Sequence, residues 1–249
     1  MTESSARPSN ASEHHLLSTL AGPSRLDVRD IHVWCCQRER AAGSDAFKRR
    51  VLSHYAEVAP EDLQFGIGEQ GKPYLVDAPR ELDFNVSHSG EWLVCAVTAG
   101  IPVGVDVEEA VPTRDVMTLA RRFFREEEVA ALAERGAAEQ CERFYDLWTL
   151  KESAVKARGE QLLFGLDARG FALTYKSHPM RSCAGIALTT ADDSPAAQYM
   201  LLDLVPGYRL AICWLPNTPL QLALQVFDGS NAGSVRTLDP PLRACSGMN

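Results

Sequence analysis

Two segments of the sequence carry the side chains best suited to chemistry. Glu152 and Lys156 are four residues apart, so a helix would place them on one face, one turn from each other. In and just after the apolar run Ile101–Val107, Asp106 and Glu108 alternate with valines, and a strand would point both carboxylates to the same side. We predict that the two segments meet, and that a metal ion and a phosphate bind where they do.

This set of side chains favours phosphoryl transfer assisted by a metal ion. A hard divalent cation such as Mg²⁺ prefers oxygen ligands, often carboxylates combined with substrate phosphate oxygens and water. Lys151 and Lys156 would then face phosphate, and His88, at the end of a strand and close to a glycine, could donate a ring N–H to it. The cations would absorb the developing charge, which leaves little covalent work for the protein.

Each of these residues also has an ordinary interpretation. The two carboxylates can belong to a strand that runs into a solvated acidic loop, and a glutamate four residues before a lysine is usually an exposed ion pair. A lone histidine at a turn is more often structural than catalytic. The residues by themselves therefore lead to a metal-assisted phosphate enzyme and no further.

The elements that position these residues follow from hydrophobic periodicity. A helix is predicted over Ser44–Val58, and a second over Val116–Glu134 with a break near Arg125, where three glutamates begin a new first turn. The third helix is predicted over Ala137–Arg158. Strands are predicted at Ile31–Cys36, Leu82–Val86, Glu91–Thr98, Ile101–Glu108, Phe171–Tyr175, Gly185–Thr189, Gln198–Val205 and Tyr208–Leu215.

Composition limits the class of protein and its partners. The chain has 249 residues, of which 45% are apolar and 23% charged, as in an ordinary globular protein. A formal net charge of −8 argues against nucleic acid as the main partner. No apolar run approaches the roughly 20 residues of a membrane span, and the N-terminus lacks a segment of signal-peptide type, so we expect a cytoplasmic protein. Seven cysteines without C-x-x-C spacing argue against a disulfide framework and a zinc site.

Five segments together resemble one enzyme family. They are Gly71-Lys-Pro-Tyr74, Phe84-Asn-Val-Ser-His-Ser-Gly90, Val103-Gly-Val-Asp-Val-Glu108, Arg121-Arg-Phe-Phe124 and Phe144-Tyr-Asp-Leu-Trp-Thr-Leu-Lys-Glu-Ser-Ala-Val-Lys156. Any one of them is a weak signal, but their order and spacing resemble those of the Sfp-type 4'-phosphopantetheinyl transferases. The resemblance runs from about Ser44 to Leu215.

The resemblance implies a fold and a reaction. These enzymes move the 4'-phosphopantetheine arm of coenzyme A onto a serine of an acyl, aryl or peptidyl carrier protein and release adenosine 3',5'-bisphosphate. The family fold is α+β, a pseudo-twofold pair of lobes with coenzyme A and Mg²⁺ between them. For this chain it implies an N-terminal lobe over residues 31–102 and a C-terminal lobe with the metal site over 103–215. Residues 1–30 are expected to be disordered, 216–249 to form a peripheral tail, and the protein to be a monomer.

Site roles carried over by motif position agree with the chemistry argued above. The resemblance implies that Asp106, Glu108 and Glu152 bind the metal, and that Glu152 also orients or deprotonates the attacking serine. Lys156 would stabilise the leaving phosphate. The coenzyme A contacts implied are Lys72, Ser87, His88, Asp106 and Lys156. Exposed Arg121, Arg122 and Arg125, with the surface near Phe123 and Phe124, would dock an acidic carrier.

The sequence departs from the family pattern at two places. The stretch between Cys36 and Phe47 is short, whereas the family carries several basic residues there that grip the 3'-phosphate of coenzyme A. Arg38, Arg40, Lys48 and Arg49 are candidates to replace them, and Gly159-Glu160-Gln161 stands where Gly-x-Gly is usual. The short segment keeps a second hypothesis open, a protein that binds coenzyme A or a carrier without turnover. A third is another metal-dependent phosphoesterase.

Overall fold

The computed structural model describes residues 26–78, 81–161, 165–175, 184–190, 196–217, 223–230 and 236–246. These residues form two mixed sheets, a small hairpin and four α-helices. Within them, no helix is both long and apolar enough to cross a membrane. The mixed composition of helices and sheets agrees with the predicted α+β class.

The strands of the first sheet are β1 (Asp30–Gln37), β4 (Asp83–Ser89), β5 (Trp92–Thr98), β11 (Ala223–Asp228) and β12 (Arg236–Leu238). Their order in the sheet is β12-β11-β1-β5-β4. The hairpin, β2 (Phe65–Ile67) with β3 (Pro73–Leu75), is a separate two-stranded sheet that packs against the apolar core of this sheet through Phe65 and Leu75. Helix α1 (Ser44–Ala56) packs on one face of the sheet through Phe47, Val51, Leu52 and Tyr55.

The strands of the second sheet are β6 (Val103–Glu109), β7 (Phe171–Tyr175), β8 (Ala184–Leu188), β9 (Gln198–Val205), β10 (Tyr208–Trp214) and β13 (Leu242–Cys245). Their order in the sheet is β6-β10-β9-β13-β8-β7. Valines 103, 105 and 107 of β6 face the first sheet, where they form a shared apolar core with residues such as Val33 and Val94. The change of sheet falls between β5 and β6, where the sequence places the boundary of the lobes.

Three helices cover the other face of the second sheet: α2 (Val116–Phe123), α3 (Glu126–Ala133) and α4 (Ala137–Arg158). The predicted break near Arg125 is confirmed, because α3 begins anew with Glu126 and Arg125 donates its backbone N–H to the Glu128 carboxylate at 3.0 Å. Helix α4 ends where Gly159 adopts a left-handed conformation with φ of 74°. Its predicted bounds are confirmed.

The C-terminal segment is part of both sheets, so the prediction of a peripheral tail is wrong. Strand β11 pairs in parallel with β1 over six residue pairs, and its Val226 and Phe227 are buried. Strand β13 lies between β9 and β8. The predicted disorder of residues 1–30 falls mostly outside the described residues, but Leu26 is buried and Asp30 begins β1.

Polar side chains of β4 bind the backbone of β6 across the space between the sheets. Strand β6 is the edge of its sheet and would leave every second N–H unpaired. Asp83, Asn85, Ser87 and Ser89 each accept one of these N–H groups, at 2.9, 3.0, 3.4 and 3.0 Å, from residues 103, 105, 107 and 109. We call this set of contacts the β4–β6 seam. It fixes the register of β4 against β6.

A buried hydrogen-bonded network lies between β1 and α1. The hydroxyl of Tyr55 accepts from the indole N–H of Trp34 at 2.6 Å, and the same hydroxyl lies 2.9 Å from Nδ1 of His32. A neutral His32 with its proton on Nε2 accepts the Tyr55 proton at Nδ1. His32 is fully buried, and burial lowers its pKa to about 4, although Asp30 partly opposes this shift. The folded protein therefore holds His32 neutral at physiological pH.

This network predicts a loss of stability as the pH falls. Between pH 6.5 and about 4 the unfolded chain binds a proton at His32 that the folded chain does not bind, so acid favours unfolding. The expected contribution is about 2 kcal/mol between pH 7.5 and 5. Urea unfolding at several pH values should show it as a steeper pH dependence in the wild type than in His32→Asn, in which Asn can accept the Tyr55 hydroxyl without titrating. Equal slopes in the two proteins would contradict the assignment.

Candidate active site

Strand β6 and helix α4 approach each other unusually closely because residue 104 is a glycine. A Cβ at Gly104 would lie 2.1 Å from the carbonyl oxygen of Ser153 and 2.3 Å from the backbone nitrogen of Ala157. Both atoms belong to the helix backbone, which cannot move aside as a side chain would. The glycine therefore lets the helix lie directly on the strand, and this brings Glu152 opposite Asp106.

Three carboxylates converge at this crossing. Asp106, Glu108 and Glu152 each present an oxygen, and these atoms all lie within 4.8 Å of one another. Asp106 and Glu152 are buried and Glu108 is half-buried. The structure thus brings together the two segments that the sequence singles out, with the three side chains named from it.

Lys156 lies against this triad. Its ammonium is 2.5 Å from Oδ1 of Asp106, 3.2 Å from Oε2 of Glu152 and 3.1 Å from the Ser87 hydroxyl. An exposed ion pair between Glu152 and Lys156 was the ordinary interpretation of the sequence, and the structure differs from it. The pair is formed, but it is part of the site and not an exposed pair on the helix surface.

The pKa shifts reflect an excess of negative charge in a poorly solvated place. Burial first, and the neighbouring Asp106 second, raise the pKa of both Glu108 and Glu152. Burial lowers the pKa of Lys156, but Asp106 and Glu152 raise it by more. One ammonium thus balances only part of the charge that three ionised carboxylates would carry.

The donor set fits a hard divalent cation. The ligands are all oxygens, and the second carboxylate oxygen of Asp106, Oδ2, is buried without a hydrogen-bond partner among the described residues. A buried acceptor of this kind is costly unless something binds it. An oxygen triad with surplus negative charge is the kind of site that Mg²⁺ or Mn²⁺ occupies in proteins.

The predicted coenzyme A residues differ in their relation to the triad. Ser87 is directly connected to it, because its hydroxyl donates to Oδ1 of Asp106 at 2.7 Å. His88 is exposed, and the alternation of β4 places it on the opposite face of the strand from Ser87. The ammonium of Lys72 lies in the β4–β6 seam, with acceptors at Asp83 (2.6 Å) and the carbonyl oxygens of Val103 (3.0 Å) and Ala157 (3.5 Å).

Lys151 is not at the site, so the prediction that it faces phosphate is wrong. Its side chain is buried under the helices, 2.8 Å from the carboxylate of Glu128, and it donates to the carbonyl oxygens of Leu166 and Arg169. Burial lowers its pKa, opposed by Glu128. The lysine ties α4 to α3 and to the segment after α4.

Ser89 is a further group beside the triad, and the predictions from the sequence did not include it. The Ser89 hydroxyl donates to Oε2 of Glu108 at 2.9 Å, and the Ser89 hydroxyl oxygen accepts the backbone N–H of Glu109 at 3.0 Å. A signal was present in the sequence, since Asp83, Asn85, Ser87 and Ser89 alternate along β4 with less polar neighbours. Polar residues with a period of two on a strand next to a buried site indicate a second buried polar face.

Comparison with known proteins places this site in a family. The model described as the 4'-phosphopantetheinyl transferase superfamily matches residues 102–213, and that of a 4'-phosphopantetheinyl transferase N-terminal region matches residues 8–100. The chain is 31% identical over 207 residues to the 4'-phosphopantetheinyl transferase Sfp of Bacillus subtilis, which covers 83% of this chain and 88% of the relative. It is 35% identical over 171 residues to the 4'-phosphopantetheinyl transferase HetI of a Nostoc species, covering 68% and 67%.

These matches confirm the resemblance inferred from the motifs. They span both lobes, and the superfamily model includes all three carboxylates of the triad together with Lys156. The chain therefore belongs to the Sfp-type 4'-phosphopantetheinyl transferase family.

Proposed function

We propose that the chain moves the 4'-phosphopantetheine arm of coenzyme A onto a serine of a carrier protein, with a divalent cation held by Asp106, Glu108 and Glu152. The observation that carries the proposal is the convergence of these three carboxylates within 4.8 Å beside Lys156, at positions that match the family motifs. Mg²⁺ is the cation we propose. When bound, it would neutralise the pyrophosphate of coenzyme A and make its phosphorus more electrophilic.

The chain's own residues would handle the proton and the developing charge. The serine oxygen of the carrier forms a bond to the phosphorus that bears the pantetheine arm, and the bond from that phosphorus to the bridging oxygen breaks. The electron pair leaves with adenosine 3',5'-bisphosphate. Glu152 would accept the serine proton, a role that suits a carboxylate whose pKa is raised by burial. Lys156 would donate to the phosphate oxygens as charge develops on them.

We assign the coenzyme A contacts from the exposure of the predicted residues and from the hydrogen bonds that they already make. For the pyrophosphate we propose His88, which is exposed, and Ser87, whose hydroxyl would turn from Oδ1 of Asp106 to a phosphate oxygen. The three N–H groups of the Lys72 ammonium have three protein acceptors within 3.5 Å, so we propose that the turn at Gly71 and Lys72 binds the nucleotide through its backbone.

Two exposed arginines are our candidates for the 3'-phosphate. Lys48 and Arg49 are each 2.8 Å from the carboxylate of Asp45, which favours a structural role for both. Arg38 and Arg40 are exposed on a short 3-10 turn, and the backbone N–H of Arg38 donates to the carbonyl oxygen of Glu91 at 2.7 Å. That contact places the turn next to the β4–β5 connection, close to the end of β4 that carries Ser87 and His88.

We place the carrier protein at the exposed end of α2. Arg121 and Arg122 are exposed there, and the half-buried Phe123 lies edge-on to Trp148 with ring centroids 5.6 Å apart. Phe124 is buried against Phe144, so it supports the surface from below. Exposed arginines around an aromatic ring would suit the acidic helices common in carrier proteins.

We also propose that the protein is a monomer and that it is located in the cytoplasm. The large apolar core between the two sheets is formed within a single chain, which supports a monomer. Four buried cysteines, Cys35, Cys36, Cys95 and Cys141, remain thiols in the structure, which supports a reducing compartment such as the cytoplasm.

The direct test is the intact mass of an apo carrier protein after incubation with the enzyme, coenzyme A and Mg²⁺. We expect a mass gain equal to one phosphopantetheine arm, abolished by a chelator and by replacing the acceptor serine with alanine. Calorimetric binding of coenzyme A or carrier with no mass gain on several carriers would favour a non-catalytic binding protein. Nucleotide release without any protein acceptor would instead indicate a phosphoesterase.

A further inference from the structure

The turn between β4 and β5 reaches from the first sheet to the end of β6. It consists of Gly90 and Glu91, and together with Ser89, the last residue of β4, it lies against Glu108 and Glu109. Its contacts come from residues that the chemistry proposed above does not use. These contacts fix the orientation of the Glu108 carboxylate, which belongs to the triad.

Ser89 fixes one oxygen of Glu108. Its hydroxyl has a single proton, and that proton goes to Oε2 of Glu108 at 2.9 Å. The hydroxyl oxygen accepts the backbone N–H of Glu109 at 3.0 Å, so its direction is set from both sides. This bond fixes the orientation of the Glu108 carboxylate, which offers one oxygen within 4.8 Å of an oxygen of Asp106 and of Glu152.

Tyr208 binds the turn between β4 and β5 through its hydroxyl. It is the cross-strand partner of Glu109, and its hydroxyl donates to the carboxylate of that residue. The same hydroxyl accepts the backbone N–H of Glu91 at 3.2 Å. A Cβ on Gly90 would lie 2.3 Å from both the Tyr208 hydroxyl and Oε2 of Glu109, so any other residue there would displace these two side chains. The φ of Gly90 is +50°, which also favours glycine.

We propose that Ser89 is a positioning residue that orients Glu108 for the metal, and that Tyr208 keeps the Ser89 turn in register. Ser89 touches neither substrate nor the reacting atoms in this assignment. The proposal rests on the proposed role of Glu108 as a metal ligand. Residues that orient metal-bound carboxylates commonly contribute 10-fold to 100-fold to metal affinity.

The test measures Mn²⁺ binding without coenzyme A or carrier, by titration followed with electron paramagnetic resonance. We expect Ser89→Ala to weaken Mn²⁺ binding about 10-fold, and Ser89→Thr, which keeps the hydroxyl, to stay within about 3-fold of the wild type. Tyr208→Phe should weaken binding by a smaller factor. In the transfer assay, Ser89→Ala should need more Mg²⁺ for half-maximal rate but approach the wild-type rate at saturation.

Ser53→Ala is the matched control. Ser53 is also a part-buried serine, but among the residues that the structure describes its hydroxyl bonds within α1, to the carbonyl oxygen of Arg50. It should leave Mn²⁺ binding unchanged. If Glu108→Gln weakens Mn²⁺ binding and Ser89→Ala does not, the positioning role is overturned while the metal site stands. If Glu108→Gln itself has no effect, the metal role of Glu108 fails, and the positioning role fails with it.

Discussion

Glu152→Gln is expected to lower the transfer rate at least 100-fold while leaving the protein as stable as the wild type or more so. The activity is lost because the amide can neither accept the serine proton nor supply a charged oxygen to the cation; a general base alone contributes about 10²- to 10⁴-fold. Stability is kept because burial raises the pKa of Glu152, which means that its ionised form is costly to hold in the fold. Glutamine has nearly the same shape and no charge.

The measurement pairs a carrier-loading assay with thermal unfolding at pH 7.5. Glu139→Gln is a suitable control, since Glu139 lies in the first turn of the same helix and is exposed. That variant should match the wild type in both assays. Retention of more than about a third of the wild-type rate by Glu152→Gln would remove Glu152 from the reaction.

Lys156→Ala is expected to lose both activity and stability. Removing the ammonium leaves the buried carboxylates of Asp106 and Glu152 facing each other without their shared donor. Breaking a buried pair on one side commonly costs several kcal/mol, and because Lys156 is partly exposed we expect about 2 to 3 kcal/mol. The rate should fall at least 100-fold, since charge developing on the leaving phosphate loses its cation.

The effect of Mg²⁺ on the melting temperature provides a second test of the role of Lys156. A divalent cation would relieve the repulsion among the carboxylates, so added Mg²⁺ should raise the melting temperature of Lys156→Ala by more than it raises that of the wild type. Lys48→Ala, on α1 and paired with Asp45, serves as the control and should respond to Mg²⁺ like the wild type. If Lys156→Ala and Glu152→Gln both remain fully active, the site lies elsewhere.

Much of the site could be predicted because its signals are local. The period of two in β6 puts Gly104, Asp106 and Glu108 on one face, and the turn of α4 puts Glu152 and Lys156 together, whatever the rest of the chain does. The break before Glu126 was likewise visible in the acidic first turn. These features depend on spacing within one element, and spacing is what a sequence displays.

Other features depend on which elements meet, and spacing does not report that. Lys151 lies one residue from Glu152, yet the helix turns it toward Glu128 and away from the triad. Strand β11 pairs with β1 although some 190 residues separate them, and nothing in its short apolar run indicated so distant a partner. The β4–β6 seam joins side chains of one sheet to the backbone of the other, so hydrophobic patterning gave no sign of it.

The positions of β11 and β13 show that the match to the family models and the folded structure end at different places in the chain. The family models end at residue 213, whereas the strands that complete both sheets come later in the chain. A protein cut after Trp214 would keep every proposed ligand of the cation, but β1 would become an unpaired sheet edge, and β8 would lose the strand that links it to β9. The family models thus contain the residues proposed for the chemistry, whereas strands that keep the polypeptide folded and unaggregated lie partly after the last residue that these models match.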